Sequence, residues 1–256
     1  MRGRAIGRVV RDGLSRASRR FSSSQPAYPY LKPAADPSRL TLCLDLDECL
    51  VYCTVAEGSN ASFMESHGAE MARESAAYDA RHRRQGARLL PPHDFELELP
   101  YLEDPVQLRK RPNLDDFLLE ASKMCELVLF TSAAKTYAEE CVSVLDPERS
   151  LFSDVLSRQH CVLMDSLYLK DLSQLGRPLE KVVCVDDHVG SCMLHADNAV
   201  PVHPFLGSPD DQELPHVLAL LHRLRHADDV REPLRGMYNL QESLLGRVRS
   251  AREKMD

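Results

Sequence analysis

The stretch "TLCLDLDECLV", Thr41 to Val51, runs an apolar segment into two aspartates, Asp45 and Asp47, and sets a cysteine, Cys49, just beyond them. The largely apolar run Leu40–Leu46, short and bounded by polar residues, predicts a strand covered on both faces, as strands of a parallel sheet are. Ligands bind outside the carboxyl ends of the strands of such a sheet, so both aspartates are expected to face a crevice.

Working outward, Leu127–Thr131, Lys181–Asp186 and Ala199–Val202 repeat the pattern: short, apolar, and bounded by polar residues. Between them, helical spacing follows Pro112 through Phe117 and Leu118, and again from Lys135 to Leu145, ending before Pro147. This alternation predicts an α/β fold, a Rossmann-like central parallel sheet flanked by helices. "FELEL" (95–99) and "VQLRK" (106–110) alternate in polarity and predict a small β-hairpin insertion outside that sheet. "SPDDQEL" reads as a helix start capped by Ser208 or Asp210, followed by Leu214, Val217, Leu218, Leu220, Leu221 and Leu224 at helical spacing.

The ends differ from this body. Seven arginines and one aspartate through Phe21 give residues 1–25 the composition of a mitochondrial-type presequence, and a Pro-rich linker occupies 26–39. Without that net +6 the formal charge falls from −7 to −13, and an acidic body lacks the broad attraction for nucleic acid that a basic surface supplies. Residues 40–230 form the main domain, with a polar, Ala-rich insertion at 57–92 that is helical or mobile, and 231–256 make a C-terminal helix. No apolar run approaches the roughly 18 residues that span a bilayer. Eight cysteines without any CxxC pair sit mostly in apolar runs and read as reduced, buried thiols.

A second acidic pair, Asp186 and Asp187, ends "VVCVDD". If the two strand ends are neighbours, their carboxylates converge, and such a concentration of charge calls for a hard divalent cation, with magnesium (Mg2+) the natural choice. One carboxylate can then attack phosphorus while a second serves as general acid and general base. Thr131, at a strand end in "LVLFTS", and Lys170, in "YLKDLS", can supply the donors that a phosphate needs.

Together "LDLDECLV", "KRPNLDDFL", "LVLFTSAAKTYAEECVSVLDP", "SRQHC", "YLKDLSQLGRPLEKVVCVDD" and "HADNAVPVHPFLG" resemble, in order, the small-phosphatase and Dullard-like branch of the haloacid dehalogenase superfamily. The resemblance spans about Leu40 to Val230 and implies a magnesium-dependent protein serine/threonine phosphatase with a haloacid dehalogenase-like fold and a phosphoprotein substrate. It implies that Asp45 is the nucleophile, carrying an aspartyl phosphate, and Asp47 the acid/base. Thr131 and Lys170 would bind phosphate; Asp186 and Asp187 would hold the metal with Asp45 and the Asp47 carbonyl. Asp187 departs from the asparagine common in that branch, adding a negative charge. Arg158 corresponds to an arginine near the substrate cleft, with a fold-supporting ion pair as its alternative role.

Cys49 replaces the threonine of the family motif, and a thiol is the weaker hydrogen-bond donor. Neither Cys49 nor Cys53 lies in a phosphate-cradling loop, so a redox-sensitive thiol beside the site is their only functional reading. His160, His188, His195 and His203 fall in separate segments and read as surface or core-edge residues rather than a metal set, and Tyr28 and Tyr30 as part of a wrapped arm. Two rivals to the enzyme remain. The presequence, "DVREPL" and "LDP" also resemble the presequence receptor of the mitochondrial inner-membrane translocase, whose partners would be presequences and import components. A scaffold that holds a phosphoprotein without cleaving it is the other.

Overall fold

Leu40–Leu44 forms β1, and every residue of it is buried. It lies at the centre of a five-stranded sheet completed by β5 (Cys125–Phe130), β6 (Phe152–Leu156), β9 (Val182–Asp186) and β10 (Ala199–Pro201), in the order β10-β9-β1-β5-β6. Every pairing in it is parallel. The computed structural model describes residues 28–55, 92–100, 105–164 and 167–244. The proposed presequence, nearly all of the 57–92 insertion and the end of the C-terminal helix lie outside them.

The four strands expected in the sheet are present with slightly shifted ends, and β6 joins them as an edge. Its sequence, "FSDVL", alternates and stays partly exposed because β5 covers it on one side only, so it lacks the buried-strand signature. The hairpin is larger than expected. β3 (Phe95–Leu97) and β4 (Val106–Lys110) pair antiparallel, and β2 (Val51–Val55) adds to the other edge of β4, making a three-stranded sheet. A second hairpin joins β7 (Val162–Met164) to β8 (Leu167–Leu169).

Alternation along the strands sorts the core. Leu42, Leu44, Leu127, Leu129, Val183 and Val185 face one side, where they meet α1 (Leu114–Met124), α2 (Lys135–Leu145), α3 (Glu213–Leu224) and α4 (Arg231–Tyr238). Cys43, Val128, Phe130, Val182 and Cys184 face the other, covered by Leu172 and Leu175 of a 3-10 turn, Cys192 and Leu31. The flanking helices expected from the sequence thus pack on the first face, and the second carries a short turn and an arm.

That arm is the Pro-rich linker. The Tyr30 N–H donates to the Gln174 carbonyl at 2.9 Å, and the Tyr30 ring stands edge-on to His160 with centroids 5.1 Å apart. Gly176 adopts φ +73° beneath it, and a Cβ there would lie 2.7 Å from Cβ of Pro29.

Helix α1 starts after Asn113, which takes φ 65°, so the helix begins later than Pro112 suggests. No side chain caps α3 at its Gln212 N-cap; the Glu213 N–H is accepted at 3.0 Å by Asp211, so neither Ser208 nor Asp210 plays the expected part. Helix α4 stops at Asn239, whose φ of 43° ends a helix as a left-handed residue does, and helical structure resumes over 240–244. The C-terminal segment is therefore broken where one continuous helix was predicted. Among the described residues no helix is long and apolar enough to cross a membrane.

Candidate active site

The chain order places the crevice. From β1 the chain runs outward through β5 and β6, then returns to the opposite side of β1 as β9, so the order reverses between β1 and β9. Open α/β sheets bind their ligands at such a point, outside the carboxyl ends. Asp45 follows β1 directly, its N–H donating to the Val185 carbonyl at 3.0 Å, and Asp186 closes β9.

The carboxylates of Asp45, Asp186 and Asp187 each present an oxygen within 4.8 Å of the others. Lys170 stands between two of them, its Nζ donating to Asp45 Oδ1 and to Asp186 Oδ2, both at 2.6 Å. Its own N–H is pinned to the Ser191 carbonyl at 2.8 Å, while the Ser191 hydroxyl donates to Asp186 Oδ2. The His188 N–H donates to Asp186 Oδ1 at 2.8 Å, which fixes that carboxylate at both oxygens.

Burial, aided by the charges of Asp186 and Asp47, pushes Asp45 up to about 7 against the pull of Lys170. Burial together with Asp45, Asp186 and Glu48 pushes Asp187 up to about 9. Lys170 is raised as well: burial alone would lower it, yet the carboxylates of Asp186 and Asp45 hold it well above its ordinary value. These acids crowd one another more than a single ammonium relieves. Hard oxygen donors in that state fit a divalent cation, so the residues present suit magnesium.

A tight turn follows Asp47. Glu48 takes φ 59°, its N–H donates to the Val51 carbonyl at 2.8 Å, and Asp47 bridges to Val51. The Tyr137 hydroxyl, buried on α2, donates to Asp47 Oδ1 at 2.5 Å. Sequence reasoning missed Tyr137, which reads only as an apolar position of α2, and it missed Ser191, a serine in an undistinguished loop. Thr131 follows β5, neighbour of β1, with its Oγ1 accepting the Ala133 N–H at 3.0 Å and its own N–H tied to the Leu156 carbonyl at 2.9 Å.

Arg158 supports that same loop. Its Nε donates to the Ser132 carbonyl at 2.7 Å, its N–H to the Ala133 carbonyl at 2.9 Å, and its guanidinium lies 5.0 Å from the Tyr168 ring centre. The histidines disperse: His160 bonds Ser157, His195 bonds Asp171, and His203 bonds Glu213.

Residues 40–231 match the model of the NLI interacting factor-like phosphatase family. The chain belongs to that family. It is 31% identical over 198 residues to nuclear envelope morphology protein 1 of Schizosaccharomyces pombe, covering 77% of this chain and 35% of that protein. It is also 31% identical over 214 residues to the human carboxy-terminal domain RNA polymerase II polypeptide A small phosphatase 1, covering 82% of this chain and 70% of that protein. Among solved structures it is similar to the fission yeast RNA polymerase II CTD phosphatase Fcp1 bound to beryllium fluoride, at 22% identity and a TM-score of 0.46, covering 80% of this chain and 55% of that one. The names these relatives carry are of phosphatases and of the nuclear envelope, and none lends support to a mitochondrial receptor.

Proposed function

We propose that the chain is a magnesium-dependent protein phosphatase that removes phosphate from phosphoserine and phosphothreonine through an aspartyl phosphate on Asp45. The observation that carries this is the pairing of Lys170 with both Asp45 and Asp186 at the reversal of the sheet, beside Asp187. Asp45, Asp186, Asp187 and the Asp47 carbonyl would hold the ion, which supplies charge neutralisation at the phosphate oxygens.

In the first step an Asp45 carboxylate oxygen forms a bond to phosphorus as the bond to the serine or threonine oxygen breaks, and Asp47 gives its proton to that leaving oxygen. In the second, Asp47 takes a proton from water, which attacks the aspartyl phosphate and frees inorganic phosphate. Tyr137 holds Asp47 at one oxygen throughout. Thr131 and the ammonium of Lys170 face the phosphate charge, and Arg158 keeps the Thr131 loop in place.

The test is phosphate release from a phosphoserine peptide and from 4-nitrophenyl phosphate, with and without magnesium. Asp45→Asn is expected to abolish it, since an amide neither attacks phosphorus nor carries the needed charge, and wild-type turnover in that variant would overturn the mechanism.

For location, the Arg-rich composition of residues 1–25 supports delivery to mitochondria, whereas the names of the relatives support a nuclear or cytosolic site. A fluorescent reporter fused behind residues 1–30 decides between them, and a diffuse signal removes the mitochondrial reading.

A further inference from the structure

Arg111, in "KRPNLDDFL", is not among the residues assigned to the chemistry, yet among the described residues it is one of the largest fully buried side chains, 1% exposed. Its guanidinium forms a fork with Asp211, Nε to Oδ1 at 2.7 Å and Nη2 to Oδ2 at 2.8 Å. The remaining donors reach backbone. Nη2 also donates to the His203 carbonyl at 2.7 Å, and Nη1 to the Cys49 carbonyl at 2.9 Å, with the Glu48 carbonyl farther off at 3.5 Å. The Arg111 N–H adds a bond to the Leu50 carbonyl at 2.9 Å.

All three of those loop carbonyls, of Glu48, Cys49 and Leu50, belong to the turn that follows Asp47. That turn is strained, because Glu48 is a non-glycine residue at φ 59°, a conformation that persists only where its surroundings over-determine it. Besides the turn's own backbone bonds, from Glu48 N–H to the Val51 carbonyl and from the Leu50 and Val51 N–H groups to the Leu46 carbonyl, those surroundings include Arg111 and a neighbour it stacks on. Phe205 donates its N–H to the Glu48 carbonyl at 2.6 Å, and the Arg111 guanidinium lies 5.6 Å from the Phe205 ring centre. The guanidinium makes the ion pair with Asp211 and also reaches the loop through Nη1 and the 203–211 segment through Nη2, and a planar fork with five fixed donors is suited to holding a carboxylate and several carbonyls at once in a way that an ammonium is not.

We propose that Arg111, braced by Asp211, is a positioning residue for Asp47: it holds the strained 48–50 turn against the 203–211 segment and so sets where the Asp47 carboxyl points. The inference rests on the acid/base reading of Asp47 given above. Asp45, fixed to β9 through its own N–H, is not reached by this clamp.

The consequence is selective. Losing the clamp impairs proton delivery to the leaving oxygen more than attack by Asp45. A phosphoserine peptide needs that proton, whereas the phenolate of 4-nitrophenyl phosphate departs without it. Arg111→Lys, which keeps the charge and loses the fork, is expected to lower kcat/KM for the peptide by about 100-fold and for the aryl ester by less than about 10-fold. Asp211→Asn moves the ratio the same way by a smaller factor, and Asp47→Asn sets its upper limit.

Both substrates are measured on one preparation of the full chain, so any unfolded fraction cancels from the ratio. Equal losses on both substrates in Arg111→Lys and Asp211→Asn, with the ratio shifted in Asp47→Asn, overturn the positioning role and leave the mechanism standing. An unshifted ratio in Asp47→Asn, or an active Asp45→Asn, overturns the mechanism and the inference with it.

Discussion

Cys49 shows how one atom can be judged by its surroundings. It is wholly buried, its Sγ 3.8 Å from the Val185 carbonyl, the same carbonyl that accepts the Asp45 N–H. Burial first, then the charge of Asp45, pushes the thiol well above its ordinary value, so it supplies no thiolate for attack or oxidation at neutral pH. A threonine hydroxyl at nearly equal volume would make the stronger bond. Cys49→Thr is therefore expected to match wild-type kcat/KM on the phosphoserine peptide or exceed it by up to about tenfold, roughly 1.4 kcal/mol, and a tenfold loss would show that the loop needs sulfur. At this scale the cluster of Asp45, Lys170, Asp186 and Asp187 was legible, since each ends or follows an apolar run. Tyr137 and Arg111 were not, because their partners lie 90 and 100 residues away and no local spacing marks such a contact.

Among the elements, the turn after Lys170 illustrates how loops are held. Asp171 accepts from the Ser173 N–H at its N-cap and from His195 Nε2 at 2.8 Å. Burial works to raise its carboxyl, but the bonds from His195 and Ser173 prevail and pull it down to about 2. A carboxylate depressed in the folded state stabilises fully above its unfolded value, near 4, and loses that contribution as pH falls towards 2. His195→Ala should thus cost about 1 to 2 kcal/mol at pH 7, read by urea unfolding, with the difference from wild type shrinking between about pH 4 and pH 2. On the same face, Gly176→Ala places a methyl 2.7 Å from Pro29 at a φ unsuited to alanine. It is expected to destabilise by about 1 kcal/mol or more and to expose the 28–33 arm to protease, and an equally resistant arm would show that the linker is not anchored there. The strands buried on both sides were legible for the reason that β6, β2 and the β7–β8 hairpin were not: pairing on one side leaves mixed polarity, which sequence alone assigns equally well to loop.

Over the whole molecule, all eight cysteines are free, and six of them are buried, with Cys53 and Cys161 only partly so. Burial pushes Cys161 up to about 12 despite nearby Lys170, which slows its reaction further. A colorimetric thiol reagent should therefore find at most one fast thiol in the native protein and eight in denaturant. Fast modification of more than one, with loss of activity, would restore a redox role beside the site. The α/β class and the parallel sheet were legible at this scale because alternation of element types is a property of long stretches, whereas the asymmetry of the two faces was not, since turns and arms carry no periodic signature. The central position of β1 also bears on synthesis. Its two neighbours, β5 and β9, are encoded about 85 and 140 residues downstream, so the strand carrying Asp45 leaves the ribosome with nothing to pair with. The acidic cluster cannot assemble until Asp187 has emerged, so a fragment ending earlier is expected to release no phosphate from 4-nitrophenyl phosphate.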